Sequence, residues 1–165
     1  REIALKLKPI CKQYNVPLII NDNVKLAKEI DADGVHLGQD DLDIKAAREY
    51  LGADKIIGVS AHNVKEALEA ENGGADYLGS GAAFVTSTKT DAGAIDHKVL
   101  SDVAHSVKIP VVAIGGINKD NISQLEGIGL DGVAVVSAIF AADDISSAVI
   151  DLKAKAEKAA ESSVK

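Results

Sequence analysis

The sequence is poor in several residue types that carry specific structural roles. Its 165 residues include no methionine, no tryptophan and one cysteine, Cys11, and aromatic residues make up only 3%. A single cysteine excludes an internal disulfide and zinc sites built from cysteine pairs, fits a reducing compartment, and is expected to be a small half-buried helix residue. There is also no apolar run of about 18 residues and no segment typical of a signal peptide, so we expect a soluble, cytoplasmic protein without a membrane span.

A basic face is missing as well. The formal net charge is −7, which argues against a nucleic-acid binder, because such proteins neutralise phosphates with clustered Lys and Arg. An anionic ligand would have to be held locally, by helix N-termini, a metal ion or a few lysines. Without methionine there is no initiator residue ahead of Arg1. We therefore expect residues 1–165 to form a single domain that is truncated at its N-terminus.

What the sequence does contain is an alternation of short apolar runs and segments with helical spacing, such as residues 64–70. The apolar runs lack polar alternation, which is typical of strands covered on both faces. They are residues 17–22, 34–38, 55–60, 77–84, 110–117 and 132–139. This order predicts an α/β protein of βαβ units with a parallel sheet, either open and doubly wound or part of a closed barrel.

Three positions have the residues expected at a helix N-terminus. Asn63 and Glu66 have the spacing of a capping box, and Asn118 and Asp144 each precede a segment of helical spacing. We therefore predict that helices begin after Asn63, Asn118 and Asp144.

Polar residues and glycines collect where the predicted strands end, and parallel barrels place their chemistry at these ends. They are Asn21 and Asp22 after the first strand, residues 38–41 (GQDD) after the second, Ser60 after the third, residues 86–89 (TSTK) after the fourth, Gly115 and Gly116 late in the fifth, and Ser137 late in the sixth. One face of the sheet is therefore expected to carry the functional site.

The last two strand ends have features of a phosphate site. Gly115 and Gly116 would let the backbone approach an anion, and Ser137 could add N–H and hydroxyl donors. A tight turn is the alternative explanation of the two glycines. The Thr-Ser-Thr-Lys loop at residues 86–89 offers hydroxyl donors and one positive charge for a leaving pyrophosphate, or is a solvated polar loop.

Asp22 and Asp41 are carboxylates that follow adjacent predicted strands. Mg²⁺ prefers one or two carboxylates together with water and substrate phosphate oxygens, so the pair suits a metal-held pyrophosphate. The alternative is that they cap the helices starting near Val24 and Ile44. His36 points toward the expected barrel mouth, where it would contact a ligand or be an interior histidine with satisfied hydrogen bonds. The other three histidines have no predicted role.

Six segments resemble the successive motifs of the thiamine-phosphate synthase family, in order and at similar spacing, and the match spans nearly the whole chain. They are residues 16–22 (VPLIIND), 34–41 (GVHLGQDD), 57–60 (IGVS), 86–89 (TSTK), 112–117 (VAIGGI) and 135–139 (VVSAI). The resemblance implies a (β/α)8 TIM barrel, present here as six βα units with the first two missing. It also implies a transferase of thiamine biosynthesis that joins 4-amino-2-methyl-5-(diphosphooxymethyl)pyrimidine to thiazole phosphate and releases pyrophosphate.

The resemblance also implies roles for individual residues. Asp22 and Asp41 would bind Mg²⁺. The pyrophosphate of the pyrimidine substrate would contact Asn21, Ser60 and Lys89, of which Ser60 and Lys89 would act in catalysis. The thiazole phosphate would contact Thr86, Thr88, Gly116, Val136 and Ser137. The family mechanism is dissociative, because pyrophosphate leaves first, an aminopyrimidine-stabilised methylene cation forms, and the thiazole nitrogen then captures it.

Two other functions stay open. A thiazole tautomerase of the same fold works without metal, although it would have no pyrophosphate for Asp22, Asp41 and Lys89 to hold. A non-catalytic phosphate-binding barrel fragment is also compatible, because the sequence lacks the Gln-x-Arg-x-Lys motif of the family's second strand. A barrel without two strands would leave the strands at residues 17–22 and 132–139 with unpaired edges, which predicts self-association.

Overall fold

Six short strands alternate with helices in the computed structural model, which describes residues 1–85 and 94–161. The strands are β1 (Ile19–Asn21), β2 (Gly34–Leu37), β3 (Ile56–Ser60), β4 (Tyr77–Gly81), β5 (Val111–Ile114) and β6 (Gly132–Ala134). The helices are α1 (Glu2–Gln13), α2 (Val24–Glu29), α3 (Ile44–Leu51), α4 (Val64–Gly73), α5 (His97–Ser106), α6 (Ser137–Phe140) and α7 (Ile145–Glu161), and a 3₁₀ helix covers Ile122–Leu125. Within these described ranges, no helix is long and apolar enough to cross a membrane. Cys11 is half-buried in α1, as expected.

Each strand pairs in parallel with the next one along the chain, in the spatial order β1-β2-β3-β4-β5-β6. Because parallel crossovers are right-handed, a strand order that never reverses puts the helices on one face of the sheet. A doubly wound sheet reverses its order at a switch point. The described strands therefore form a TIM-like half-barrel, and the prediction of a parallel sheet made from βα units is confirmed.

The two faces of the sheet differ in character. Residues that point toward the helices are apolar, and relative exposure is no more than 4% at Val35, Leu37, Ile57, Val59 and Leu78. The residues between them, including His36 and Ser60, point to the concave inner face. Since successive side chains of a strand point to opposite sides, each strand packs against the helices with one face and presents the other to a ligand.

A repeated aspartate connects pairs of strands at the end of the sheet opposite the predicted site. Asp33, Asp76 and Asp131 each lie just before an even-numbered strand. Their carboxylates accept hydrogen bonds of 2.7, 2.7 and 2.8 Å from backbone N–H groups at the start of the preceding strand, those of Leu18, Ile57 and Val111. These side chains satisfy backbone donors that the parallel ladder leaves unpaired there.

The sixth predicted strand is wrong beyond Ala134. Instead of continuing to residue 139, the chain turns into α6, where the N–H groups of Ile139 and Phe140 both donate to the carbonyl oxygen of Val136. A short apolar run has no period that separates a strand from a buried helical turn, so the pattern does not mark this change. The fourth and fifth strands also end earlier than predicted.

Two of the three predicted helix N-caps are confirmed. The side chain of Asn63 accepts a hydrogen bond from the third residue of α4 at 3.0 Å, and Asp144 accepts one from the third residue of α7 at 3.1 Å. Asn118 also accepts a hydrogen bond with its side chain, from the N–H of Asp120 at 2.9 Å, but the helix predicted after it is wrong, because only the short 3₁₀ helix follows and its N-cap is Asn121. Gly127 and Gly129 have positive φ values of 76° and 97°, so the backbone leaves the helical region directly after that turn.

Candidate active site on the inner face of the half-barrel

A cavity of about 600 Å³ lies on the inner face of the sheet, a size typical of small-molecule sites. All six strands contribute to its wall, together with the segments that follow β5 and β6. Its polar lining residues are Asn21, His36, Ser60, His62, Tyr77 and Ser137. Most of the remaining wall is glycine or aliphatic, so the few polar groups decide the orientation of a bound molecule.

The cavity brings together predicted substrate residues that are far apart in the sequence. Those in its lining are Asn21, Ser60, Gly116, Val136 and Ser137. Asp41 borders a second cavity of about 400 Å³, between α3 and α4, and Asp22 directly follows Asn21. The predictions for Thr86, Thr88 and Lys89 fall on residues 86–93, outside the described residues, and stay predictions.

Asp22 follows β1 in a left-handed backbone conformation, with φ of 62°, which aspartate tolerates better than most residues. Its N–H donates to the carbonyl oxygen of His36 at 2.8 Å, so pairing of β1 with β2 continues to this residue. The alternative that Asp22 caps the helix beginning at Val24 is wrong. The cap is Asn23, whose side chain accepts from the N–H of Leu26 at 2.9 Å. The exposed carboxylate of Asp22 is therefore not used to cap α2.

The carboxylate of Asp41 accepts a hydrogen bond from the N–H of Gly38 at 2.6 Å, just beyond β2. The capping alternative is wrong here too, because α3 is capped by Asp43, which accepts from the N–H groups of Lys45 and Ala46 at 3.0 and 3.2 Å. Asp41 is instead fixed to the chain that leaves β2. Its carboxylate oxygens can still accept other hydrogen bonds or bind a metal ion, since an ionised carboxylate has about four lone-pair positions.

The two glycines after β5 are required by the backbone. Gly115 and Gly116 have φ values of 99° and 66°. A Cβ on Gly115 would lie 2.6 Å from the Cβ of Ala82, and one on Gly116 would lie 2.7 Å from the carbonyl oxygens of Phe84 and Val85. The glycines thus allow a tight turn against the segment after β4, and they also line the cavity. The tight turn that the sequence left open is present, and phosphate binding by these glycines stays a prediction.

His36 lies in the cavity wall with both ring nitrogens hydrogen-bonded. Its Nδ1 is 2.9 Å from the hydroxyl of Tyr77, and its Nε2 is 3.1 Å from the hydroxyl of Ser60. Burial raises the pKa of Tyr77 above its usual 10.0, so the phenol keeps its proton at neutral pH. The carbonyl oxygen of Ser60 also accepts from the side-chain amide of Gln39 at 2.6 Å. His36 is thus an interior histidine with hydrogen bonds at both ring nitrogens, and it lines the cavity; its contact with a ligand stays a prediction.

Two lining residues, Tyr77 and His62, had no predicted role. The N–H and Nδ1 of His62 both contact one carboxylate oxygen of Glu66, at 2.8 and 2.9 Å, and the other oxygen accepts from Asn63 at 2.6 Å. Burial acts to raise the pKa of Glu66, but these hydrogen bonds outweigh it and lower that pKa below 4.5. The only sequence signal for His62 was its position two residues after Ser60.

Comparison with known proteins shows which family this chain resembles. The thiamine monophosphate synthase family matches residues 1–139. A thiamine-phosphate synthase of Clostridium acetobutylicum is 56% identical over 144 residues, which are 87% of this chain and 68% of the relative. The thiamine-phosphate synthase of Methanobrevibacter smithii is 54% identical over 140 residues, which are 85% of this chain and 67% of the relative.

The structural comparison agrees. A thiamine phosphate pyrophosphorylase from Pyrococcus furiosus superimposes with a TM-score of 0.87 and 44% sequence identity, over 96% of this chain and 76% of that chain. The identities are too high for a likeness of fold alone, and the family match covers all six strands. The chain belongs to the thiamine monophosphate synthase family of transferases.

Proposed function

We propose that the inner cavity binds two phosphorylated substrates and joins them, making thiamine phosphate from 4-amino-2-methyl-5-(diphosphooxymethyl)pyrimidine and thiazole phosphate. The observation that carries the proposal is the convergence of five predicted substrate residues on one cavity: Asn21, Ser60, Gly116, Val136 and Ser137. These residues come from four different strand ends and line one cavity, as expected of a shared ligand site. Membership of the family supports the same reaction.

In this reaction the bond between the methylene carbon of the pyrimidine and the pyrophosphate oxygen breaks, and the electron pair leaves on pyrophosphate. The new carbon–nitrogen bond forms when the thiazole nitrogen donates its lone pair to that carbon. No protein nucleophile is needed. The protein has to align the two substrates and stabilise negative charge on the departing group, and placed hydrogen-bond donors can do both.

We assign the pyrophosphate to the side of the cavity formed by β1 and β3. Asn21 and Ser60 supply amide and hydroxyl donors there, and both line the cavity. Their place at the carboxyl ends of their strands is where parallel barrels bind substrates. Lys89 would add a positive charge opposite the leaving group, an assignment that rests on the resemblance of the TSTK segment alone.

The residues present fit a Mg²⁺ ion that binds together with the pyrophosphate. Asp22 and Asp41 follow adjacent strands, and neither carboxylate caps a helix. Two carboxylates, with water and substrate oxygens in the other positions, form a donor set that Mg²⁺ prefers. No cluster of three or more metal-ligating side chains occurs among residues 1–85 and 94–161, so most of the ligands would have to be water and substrate oxygens. When bound, the ion would neutralise part of the pyrophosphate charge.

We assign the thiazole phosphate to the other side of the cavity, between the segments after β5 and β6. Gly116 lines the cavity there, and Val136 and Ser137 begin the first turn of α6. Backbone N–H groups and the Ser137 hydroxyl would be the donors to the phosphate. Thr86 and Thr88 are assigned to the same phosphate on the resemblance alone.

The test uses the product of the complete reading frame that contains this sequence, assayed for thiamine phosphate. We expect Asn21→Ala to weaken use of the pyrimidine substrate and Ser137→Ala to raise the KM for thiazole phosphate, each by about tenfold, since each change removes one hydrogen bond to a charged group. If Ser137→Ala affected only the pyrimidine substrate, the assignment of the two sides would be wrong. Isomerisation of the thiazole phosphate without any joining reaction would contradict the proposed function itself.

The metal assignment is tested by calorimetry with inorganic pyrophosphate, with and without Mg²⁺. We expect Mg²⁺ to tighten pyrophosphate binding, and Asp22→Asn to remove most of this gain because half of the protein carboxylate set is lost. The matched control is Asp40→Asn, an exposed carboxylate next to Asp41, which should preserve the gain. Equal pyrophosphate affinity with and without Mg²⁺ would refute the assignment.

A further inference from the structure

Three side chains on the inner face form a continuous hydrogen-bonded series. The hydroxyl of Tyr77 lies 2.9 Å from Nδ1 of His36, and Nε2 of His36 lies 3.1 Å from the hydroxyl of Ser60. All three residues line the 600 Å³ cavity and are half-buried. A neutral imidazole has one N–H donor and one acceptor nitrogen. If Nδ1 accepts a hydrogen bond from Tyr77, Nε2 must therefore donate one to Ser60, and the reverse holds as well.

The strand register leaves room for this series. His36 pairs with Gly58 on β3, and Gly58 pairs with Tyr77 on β4, so Tyr77 and His36 are neighbours across a glycine. A Cβ on Gly58 would overlap the phenol ring of Tyr77, and one on Gly79 would lie 3.0 Å from Cε1 of His36. Two glycines on adjacent strands thus make space for two rings that meet inside the barrel.

The proton arrangement follows from the phenol. Burial raises the pKa of Tyr77, so its hydroxyl stays protonated and has a hydrogen to donate. Among the described residues, the structure gives this hydroxyl no hydrogen-bond partner besides His36. If Tyr77 donates to Nδ1, then Nε2 carries the ring hydrogen and donates to the oxygen of Ser60. The hydrogen of the Ser60 hydroxyl is then not used by His36.

We propose that His36 is a positioning residue, held by Tyr77 in the tautomer that turns the hydroxyl hydrogen of Ser60 into the cavity. There it donates to the pyrophosphate of the pyrimidine substrate. This inference rests on the proposed function, which assigns Ser60 to that group. In the opposite tautomer the hydroxyl of Ser60 would donate its hydrogen to His36. Only the lone pairs of its oxygen would then face the pyrophosphate, and they would repel this anion. The side-chain amide of Gln39 donates to the carbonyl oxygen of Ser60 at 2.6 Å, which helps to position the backbone of Ser60.

The tautomer is measured directly by nitrogen NMR of the histidine rings, at a pH high enough to keep them neutral. The protein has four histidines, and the signals of His36 are those missing from the His36→Gln variant. We expect an unprotonated Nδ1 and a protonated Nε2, and we expect Tyr77→Phe to shift the balance toward protonated Nδ1. A protonated Nδ1 in the unmodified protein would overturn the proposal. This readout does not depend on enzymatic activity.

Kinetics test the consequence for the reaction. We expect Ser60→Ala to lower kcat by about 10-fold to 100-fold, the effect of losing a hydrogen bond to a charged group, and Tyr77→Phe to lower it by a smaller factor. The double variant should be no slower than Ser60→Ala, because Tyr77 acts through Ser60. If the decrease in kcat of the double variant equalled the product of the two single decreases, Tyr77 would act independently of Ser60, and the proposal would be overturned. The matched control is Tyr50→Phe on α3, outside the cavity, which should leave kcat unchanged.

His36→Gln separates positioning from packing. The side-chain amide of Gln can place an N–H donor near the position of Nε2, so this variant should retain more turnover than His36→Leu, which has no donor. Equal loss in both would mean that His36 only fills space. An unchanged kcat in Ser60→Ala would overturn the proposal, because Ser60 would then not donate to the pyrophosphate. If the unmodified protein forms no thiamine phosphate, the proposed function fails instead, and the nitrogen spectrum still decides the tautomer.

Discussion

Gly58 on β3 lies so close to the ring of Tyr77 that one added methyl group should disturb this site. A Cβ there would overlap Cζ, Cε1 and the hydroxyl oxygen of Tyr77, far inside the 3.4 Å at which ordinary contact begins. The backbone of Gly58 itself needs no left-handed conformation, so Gly58→Ala changes only the space beside the ring. The ring of Tyr77 has to move, and its hydrogen bond to His36 breaks.

Overpacking of this kind costs about 1–3 kcal/mol of unfolding free energy, and the lost hydrogen bond between half-buried groups costs about 1 kcal/mol more. We therefore expect Gly58→Ala to lower the free energy of unfolding by about 2–4 kcal/mol. Gly132 on β6 provides the control, because a Cβ there would lie 3.6 Å from Val112, which is ordinary contact. Gly132→Ala should change the stability by less than about 1 kcal/mol.

The measurement is urea unfolding followed by circular dichroism, combined with the double variant Gly58→Ala/Tyr77→Ala. Without the phenol ring the new methyl group has no clash, so Gly58→Ala should cost little in that background. The same cost with and without Tyr77 would refute the reasoning, since the strain would then come from the backbone. Equal effects at Gly58 and Gly132 would refute it as well.

Three further expectations follow from the structure. Ser80 is fully buried and its hydroxyl has no hydrogen-bond partner in the described part of the chain, so Ser80→Ala should raise the free energy of unfolding by about 1 kcal/mol, and a loss in urea unfolding would contradict this. The pKa of Glu66 is lowered below 4.5, so its stabilising effect is fully present above pH 4.5 and is lost as the pH falls through the lowered value. Glu66→Gln should therefore flatten the pH dependence of stability below 4.5, and an unchanged profile would exclude this role. The 165-residue chain should self-associate, as measured by light scattering, because β1 and β6 are edge strands of the described sheet. Large apolar side chains are also exposed, with 75, 74 and 71% exposure at Ile3, Phe140 and Ile150. A monomer at high concentration would contradict this expectation.

The apolar runs predicted the existence and order of the six strands and the face that carries the site, although not where every strand ends. Each strand is an apolar run between helical segments, and this order allows only a parallel sheet with crossover helices. Because the carboxyl ends of parallel strands meet at one edge, Asn21, Ser60, Gly116 and Ser137 were predicted to lie together, and the structure places them in one cavity. The motifs also predicted the family, which the comparisons confirm.

Local competition between neighbours decided the points that the sequence left open. Asp22 and Asp41 were candidates for helix caps, but Asn23 and Asp43 cap those helices instead. An N-cap residue differs from its neighbours only in its backbone angles and in one hydrogen bond to the helix. When several consecutive residues are polar, the sequence does not show which of them makes that bond. The turn of the sixth strand into α6 was missed for a similar reason, since apolar residues suit both structures.

The contacts in the inner wall of the site depend on how the strands are aligned in the folded sheet. Tyr77, His36 and Ser60 lie on three different strands, and their contact depends on a register in which Gly58 separates His36 from Tyr77. A shift of one residue would turn one of these side chains toward the helices, because side chains alternate between the faces. Register is set by packing of the whole sheet against its helices, which no single segment of the sequence encodes. The sequence therefore specified which strand ends form the site, and the packed sheet specified which side chains meet there.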